Sequence, residues 1–262
     1  MFLLKRKIKK YTIIDEIKVF RLSDIDRNFR VKNQKLFLDK RIFPWIAKAY
    51  LIKKVLSESN YGDTIFWIEC DVRDISENGI NNIFNLCNNS EKGLVGFHSD
   101  FWLERTFTKV DLLNYFNVNK KPFIDSTQAY GNIFLLRKND FTMDFFNKFL
   151  EICSINKLMD YSTSKEKESK YFVIHQNDQS ILSLLFKIHN IKTFPMPFYD
   201  LYRTNIIAKH SGYFAKGIIL PITWEPVWHN LTYKEMWNNC NKKYNKPVSP
   251  RECLSASTDF FK

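Results

Sequence analysis

The apolar run Thr64-Ile-Phe-Trp-Ile constrains the fold more than any other segment, because it ends abruptly in acidic residues at Glu69 and Asp71. The run is rich in β-branched and aromatic residues and does not alternate with polar ones. This pattern is typical of a central strand buried on both faces of a sheet. We therefore expect a buried strand beginning at Thr64, with acidic residues at its carboxyl end.

Helical and extended patterns alternate around this run from residue 17 to residue 195. Such alternation predicts an α/β fold, a single Rossmann-like domain with a mostly parallel central sheet flanked by helices. The core is expected over 1–195, with a basic N-terminal segment at 1–16. An irregular, aromatic-rich C-terminal lobe of the same domain is expected over 196–262. The other predicted strands are 17–22, 93–98 and 129–136, the predicted helices are 45–57, 78–88, 109–116, 139–158 and 178–189, and 160–170 is predicted to be a mobile loop.

The positive charge is concentrated near the N-terminus. Residues 1–50 contain 14 basic and five acidic side chains, an excess of nine within a net charge of +12 for the chain. A basic run, Lys5 to Lys10, follows the apolar residues 2–4, so this arm is expected either to be solvated or to lie on an anionic membrane surface. A nucleic-acid-binding protein is not expected, because such a protein would carry basic and aromatic residues across a whole face.

Cysteine usage and hydropathy bear on localisation. The five cysteines, Cys70, Cys87, Cys153, Cys240 and Cys253, are widely spaced and form no CxxC pair, which suggests neither disulfides nor a zinc site. No apolar stretch is long enough to span a membrane or to form a signal-peptide core. We expect a cytoplasmic protein, peripheral to the inner face of the cell membrane if the basic arm binds it.

The acidic pair Glu69 and Asp71 is the first candidate site. Ligands of open α/β sheets bind outside the carboxyl ends of the strands, and two carboxylates separated by one residue point the same way from a strand. Such a pair can bind a hard cation that bridges a diphosphate, and the alternative is that it simply forms a turn at the end of the strand. Asp74 is expected to be either a third ligand or a helix cap.

The second candidate site is His175-Gln-Asn-Asp178-Gln179-Ser180, which leads directly into an apolar helix. A helix N-terminus favours anions, and a carboxylate there can act as a base or bind sugar hydroxyls. Asp178 or Ser180 could equally be a simple N-cap. His98 and, in the C-terminal lobe, His210, Trp224, Trp228 and His229 are weaker candidates, for which a structural role is the alternative.

Several segments together resemble a known family: WIAKAYLIKKVL, GDTIFWIECDV, ERTFTKVDLL, AYGNIFLLRKND and HQNDQSILSLL. In this order, over residues 17–192, they are similar to bacterial glycosyltransferases of the type A (GT-A) fold found in capsule and lipopolysaccharide loci. The chain has Glu69 in place of the first acid of the family's DxD element. The helix stretch Ile46-Ala47-Lys48-Ala49 lacks the family's usual proline. About 16 residues precede the first predicted strand, so the donor pocket is expected to be either abbreviated or supplied in a degenerate form by Lys5 to Ile14.

The resemblance implies a hexosyl- or deoxyhexosyltransferase that uses a nucleotide-diphosphate sugar, with Mn²⁺ or Mg²⁺ held by Glu69 and Asp71. It implies catalytic roles for Asp178, His175 and Asp71. The acceptor would be a glycan or a lipid-linked precursor. Lys48, Glu104, Lys109 and Gln179 would contribute to the donor site, with Arg137 as a further candidate cation and Thr108 in the same polar segment as Glu104. A non-catalytic relative serving as a scaffold is the alternative.

Overall fold

The computed structural model describes residues 9–68 and 77–195 of the 262-residue chain. Nine helices and four strands form within this part, preceded by a 3₁₀ turn at Leu22–Asp24. The helices are α1 (Arg27–Lys32), α2 (Gln34–Leu38), α3 (Phe43–Glu58), α4 (Glu77–Asn88), α5 (Glu104–Phe107), α6 (Val110–Tyr115), α7 (Asp140–Cys153), α8 (Asn156–Met159) and α9 (Asn177–Ile188). The strands are β1 (Thr64–Ile68), β2 (Leu94–Leu103), β3 (Thr127–Arg137) and β4 (Thr193–Pro195).

The four strands form one mixed sheet in the order β1-β3-β2-β4, so β1 lies at an edge of the described sheet. Its five residues are only half-buried, and the prediction of a central strand buried on both faces is therefore wrong. β3 is antiparallel to both β1 and β2, and only β2 and β4 form a parallel pair. The α/β class is confirmed, but the prediction of a mostly parallel sheet is wrong. The physical reason is the connection after β2. Leu103, the last residue of β2, pairs with Thr127, the first residue of β3, so the chain leaves and re-enters the sheet at the same end and β3 runs back along β2. Alternation along a sequence does not distinguish this return from a crossover to a parallel strand.

The core covers both faces of the sheet. Phe134 and Leu136 of β3 pack in a cluster with α3, α7 and α9, whereas Ile133 and Leu135 pack in a second cluster with α4. All four side chains are buried, since neighbouring residues of a strand point to opposite faces and each face is covered by helices. The sheet and the helices on its two faces therefore form three layers. Polar side chains lie at the end of the sheet where β1 and β2 end.

Most of the predicted helices form close to the expected bounds. Asn139 caps α7 as its sequence suggested, because its side chain accepts a hydrogen bond from the Thr142 amide at 2.8 Å. The predicted helix 139–158 is interrupted and forms α7 and α8. The predicted helix 109–116 is preceded by the separate turn α5, and β2 and β3 extend beyond 93–98 and 129–136.

The predicted strand 17–22 does not form. Ile17 instead packs against the cluster that contains Ile133 and Leu135, and Phe20 packs against a separate small cluster of Ile25, Ala47 and Leu51. The alternating pattern reflects this packing without strand pairing. The loop 160–170 does lack helix and strand. The Val110 amide donates to Glu168 Oε2 at 2.9 Å and the Lys165 amide donates to Asp111 Oδ1 at 2.9 Å, which ties this loop to α6.

Several sequence predictions lie outside the described residues. They include the basic run 5–8, Glu69, Cys70, Asp71 and Asp74, and the whole lobe 196–262. Within the described part, Cys87 and Cys153 are free and buried. Burial raises the pKa of the Cys87 thiol to about 11 and raises that of Cys153 well above its usual value. No described helix is both long enough and apolar enough to cross a membrane.

Candidate functional site

The N-terminus of α9 is fixed by buried polar contacts rather than by a side-chain cap. Asn177, the first residue of α9, has φ 45°, a left-handed conformation that asparagine adopts more readily than most residues. Its Nδ2 donates to the Met159 carbonyl at 2.6 Å, and its Oδ1 accepts from the Tyr161 hydroxyl at 2.7 Å. These bonds fix where the next residues, Asp178 and Gln179, enter the fold.

Asp178 forms a buried ion pair with Lys48 of α3. Lys48 Nζ lies 2.5 Å from Asp178 Oδ2, and the two side chains are 5% and 3% exposed. The same Nζ donates to the Gly131 carbonyl at 3.0 Å and lies 5.1 Å from the centre of the Trp45 ring. A lysine and an aspartate that are 130 positions apart are therefore joined at the middle of β3.

Gln179 completes the contacts with β3. Its Oε1 accepts from the Gly131 amide at 3.1 Å, and its Nε2 donates to Gln128 Oε1 at 2.9 Å. A Cβ at position 131 would lie 3.3 Å from Lys48 Nζ and 3.2 Å from Gln179 Cβ, which is tighter than most real contacts. Glycine at this position lets both side chains approach the strand backbone closely.

A second buried carboxylate, Glu104 at the start of α5, lies beside this group. It is fully buried and forms an ion pair with Lys187 of α9. Ser183 Oγ donates to Glu104 Oε1 at 2.5 Å, Gln128 Nε2 donates to Oε2 at 3.2 Å, and the Thr108 hydroxyl donates to Oε2 as well. Glu104 thus joins α5 to α9 and β3.

Three members of this network were not predicted from the sequence: Gln128, Ser183 and Lys187. Ser180 Oγ donates to the Phe107 carbonyl at 2.8 Å, and Ser183 Oγ accepts from the Ala129 amide at 2.8 Å. A usable signal was present, because positions 180, 183 and 187 recur at helical spacing as a polar stripe on an otherwise apolar helix. For Gln128 no comparable pattern exists.

His175 is buried beside this network, and both ring nitrogens contact backbone groups. Nε2 lies 2.9 Å from the Leu158 carbonyl, and the Lys109 amide donates to Nδ1 at 3.4 Å. Burial lowers the pKa of His175 to about 3, so the imidazole is neutral with its proton on Nε2. This geometry gives His175 a part in holding Leu158 and Lys109 in place.

Lys109 points toward the segment 157–162 rather than toward Asp178. Its Nζ donates to the Lys157 carbonyl at 2.7 Å and to the Ser162 carbonyl at 3.0 Å, and lies 3.5 Å from Asp160 Oδ1. The structure therefore brings Lys48, Asp178, Gln179 and Glu104 together but places Lys109 in a separate set of contacts.

Two weaker candidates contact other parts of the sheet. Arg137 donates to the carbonyls of Asn88 and Ser90 at 3.2 and 3.3 Å, at the end of β3 remote from Gly131 in the strand. His98 lies within β2, and its Nδ1 is 3.0 Å from Thr193 Oγ1. Arg137 therefore lies away from the residues gathered at Gly131, and the His98 ring reaches the β4 edge of the sheet.

The acidic pair Glu69 and Asp71 lies outside the described residues, but the point at which the chain leaves β1 is described. Ile68 is opposite Ile133, two residues along β3 from Gly131. In the described ranges, 9–68 and 77–195, no group of three His, Cys, Asp or Glu side chains could hold a metal ion. β1 thus ends near the strand position to which Lys48 and Gln179 bind.

Comparisons with protein-family models, with curated proteins and with solved structures gave no match. The described arrangement combines a buried cation–carboxylate pair, a glutamine bound to the strand backbone and a glycine that permits their approach, all close to the end of β1. Such a constellation can fix one carboxylate in the ionised form and hold a helix N-terminus rigidly at the sheet edge.

Proposed function

We propose that the chain is a glycosyltransferase that transfers a sugar from a nucleotide-diphosphate sugar to a glycan or lipid-linked acceptor in capsule or lipopolysaccharide synthesis. One observation carries the proposal: β1 ends opposite Ile133, two positions from Gly131, where Lys48 and Gln179 converge beside Asp178. The acidic pair that follows β1 and the polar start of α9 are the two segments on which the family resemblance depends most. Open α/β sheets bind ligands at this edge.

The donor end of the site would use the residues after β1. Glu69 and Asp71 would hold Mn²⁺ or Mg²⁺, which when bound would offset the negative charge of the donor diphosphate. Lys48 would fix the position and charge of the Asp178 carboxylate. Asp178 would then act either as the base for the acceptor hydroxyl, in an inverting transfer, or as an anchor for sugar hydroxyls.

The remaining residues would position these groups. Glu104 binds α5, β3 and α9 together, and Gln179 links the start of α9 to β3, so both would keep Asp178 within reach of the donor. His175 and Lys109 would act indirectly, through their contacts with the segment 157–162. The basic N-terminal segment would bring the enzyme to the cytoplasmic face of the membrane, where lipid-linked acceptors are found.

Calorimetric titration with a panel of nucleotide sugars, with and without Mn²⁺, tests the proposal, followed by transfer assays with the donor that binds. Asp71→Asn is expected to lower turnover by about 10²-fold or more, because it removes a main electrostatic contribution. Asp144→Asn is the matched control, since Asp144 is an exposed acid on α7. Near-normal transfer by Asp71→Asn would contradict the assignment.

Asp178→Asn distinguishes a functional carboxylate from a structural one. We expect this variant to keep donor binding and to lose transfer. If transfer is unchanged in a folded Asp178→Asn protein, Asp178 serves only the start of α9.

A non-catalytic scaffold is a second candidate, and one observation favours it. In the described part of the chain the polar side chains of the site already bind one another: Lys48 binds Asp178, Gln179 binds Gly131 and Glu104 binds Lys187. Such a network holds a fold together without any substrate. A scaffold would bind none of the nucleotide sugars in the titration, with or without Mn²⁺.

A further inference from the structure

A groove of about 430 Å³ runs along α1 and α2. Its lining residues are far along the chain from Asp178. Three of its lining residues, Leu22, Val31 and Leu38, are apolar and 48%, 64% and 72% exposed. Apolar side chains that lie together with this exposure are typical of an interaction site, because contact with water is unfavourable for them and a bound partner would cover them. Arg27, Arg30, Gln34 and Phe37 complete the lining.

The exposed residues do not serve the packing of α1 and α2. Other side chains do so: Ile25 and Leu36 are each only 2% exposed. Phe29 packs edge-to-face on Phe37, with ring centres 6.0 Å apart, and stacks obliquely on Tyr50 of α3 at 4.6 Å. The two short helices are therefore held by one set of apolar residues and present another set outward.

The same segment is strongly basic, and its acids are engaged locally. Residues 21–41 contain seven basic and three acidic side chains. Asp24 accepts from the Arg21 amide, Asp26 accepts from the Phe29 amide, and Asp39 forms an ion pair with Arg41. These local contacts leave the acids poorly placed to neutralise the basic side chains of α1 and α2.

The basic side chains of α1 and α2 lack such partners. Within residues 9–68 and 77–195, Arg27, Arg30, Lys32 and Lys35 form no ion pair. The Nε atom of Arg30 is buried and has no hydrogen-bond partner there, although the residue lines the groove. Guanidinium groups without an acidic partner, beside exposed apolar side chains, match an anionic group attached to an apolar body.

We propose that α1 and α2 form a docking surface for an anionic lipid bilayer. Leu22, Val31 and Leu38 enter the boundary between headgroups and acyl chains, and Arg27 and Arg30 bind lipid phosphates. A nucleic acid fits this surface less well, because base stacking needs exposed aromatic rings and the groove's one aromatic, Phe37, is engaged with Phe29. A second copy of the chain would oppose like charges across the contact. The surface is distinct from the basic run 5–10.

Co-sedimentation with vesicles tests the proposal. The full chain is expected to bind vesicles of equal parts phosphatidylglycerol and phosphatidylcholine, and to bind phosphatidylcholine vesicles weakly. Arg27→Glu with Arg30→Glu should weaken binding by about tenfold or more, and Val31→Ser with Leu38→Ser should weaken it as well. The matched control, Lys120→Glu with Lys167→Glu, makes the same change in net charge at exposed lysines that do not line the groove.

An equal loss in the control pair, or no binding of the wild-type chain to anionic vesicles, would overturn the proposal. A measurement without variants complements the test: hydrogen exchange of the wild-type chain should slow in 22–38 when anionic vesicles are added. Protection confined to other segments, tighter binding to a duplex oligonucleotide, or dimerisation through this face would also overturn it. No nucleotide sugar is present in these assays, so this proposal and the proposed transfer reaction can fail separately.

Discussion

Replacing Lys48 with methionine should remove a large part of the stability of the fold. The substitution keeps the length and apolar stem of the side chain but takes away the charge that lies 2.5 Å from Asp178 Oδ2. Asp178 is 2% exposed, so its carboxylate would stay buried without its cation, and the Gly131 carbonyl would lose a donor. Breaking a buried pair from one side costs about 3–5 kcal/mol.

Urea denaturation followed by circular dichroism measures this cost. Lys48→Met is expected to lower the free energy of unfolding by about 3–5 kcal/mol, and Lys48→Met combined with Asp178→Leu should recover most of the loss, because no charge is then left buried. Lys53→Met, an exposed lysine on the same helix, is the control and should change stability by about half a kcal/mol or less. A Lys48→Met protein within about 1 kcal/mol of wild type would refute the reasoning that this pair is buried and mutually dependent.

Three further predictions follow from other contacts. Gly96→Ala should lower the free energy of unfolding, measured in urea, by about 1–3 kcal/mol, because a Cβ would overlap the ring of Phe186. An unchanged midpoint of the urea transition would show that α9 packs differently on β2. The pKa of His175 is about 3 in the fold against an ordinary value of 6.5, so the unfolded chain binds the proton first as the pH falls. The free energy of unfolding should therefore fall by up to about 1.4 kcal/mol per pH unit from about pH 6.5 toward pH 3. His175→Gln should make this pH dependence less steep, and equal slopes for the two proteins in denaturation at several pH values would contradict the prediction. Cys87 and Cys153 should resist alkylation until the chain unfolds, because burial raises both thiol pKa values, and rapid labelling of either peptide under native conditions, read by mass spectrometry, would argue against this packing.

Local signals predicted much of the fold. The position of β1, the asparagine cap of α7 and the apolar spacing of α9 each depend on residues within a few positions of one another, so they are readable from the sequence. The place of β1 at the edge of the described sheet, with its residues only half-buried, is not readable from the apolar run. The direction of β3 is not local, because it depends on where the chain returns after α5 and α6. The pattern at 17–22 is local but ambiguous, since the same alternation serves side chains that pack between clusters.

The sequence predicted which residues belong to the candidate site better than it predicted how they are arranged. Lys48, Asp178, Gln179 and Glu104 were singled out, and the structure places them around β3. That Lys48 pairs with Asp178 could not be predicted, because the contact depends on the sheet order and on Gly131 admitting both α3 and α9 to the strand. Ser183 and Lys187 were missed because their partner, Glu104, is 79 and 83 positions away.

Titration of the wild-type chain with nucleotide sugars is the most direct test of the proposed transferase activity. We expect that one nucleotide-diphosphate sugar binds, that Mn²⁺ or Mg²⁺ strengthens the binding, and that Asp71→Asn removes this metal dependence while the chain stays folded. Binding of no nucleotide sugar by a folded chain, with or without the metal, would contradict it and favour the scaffold.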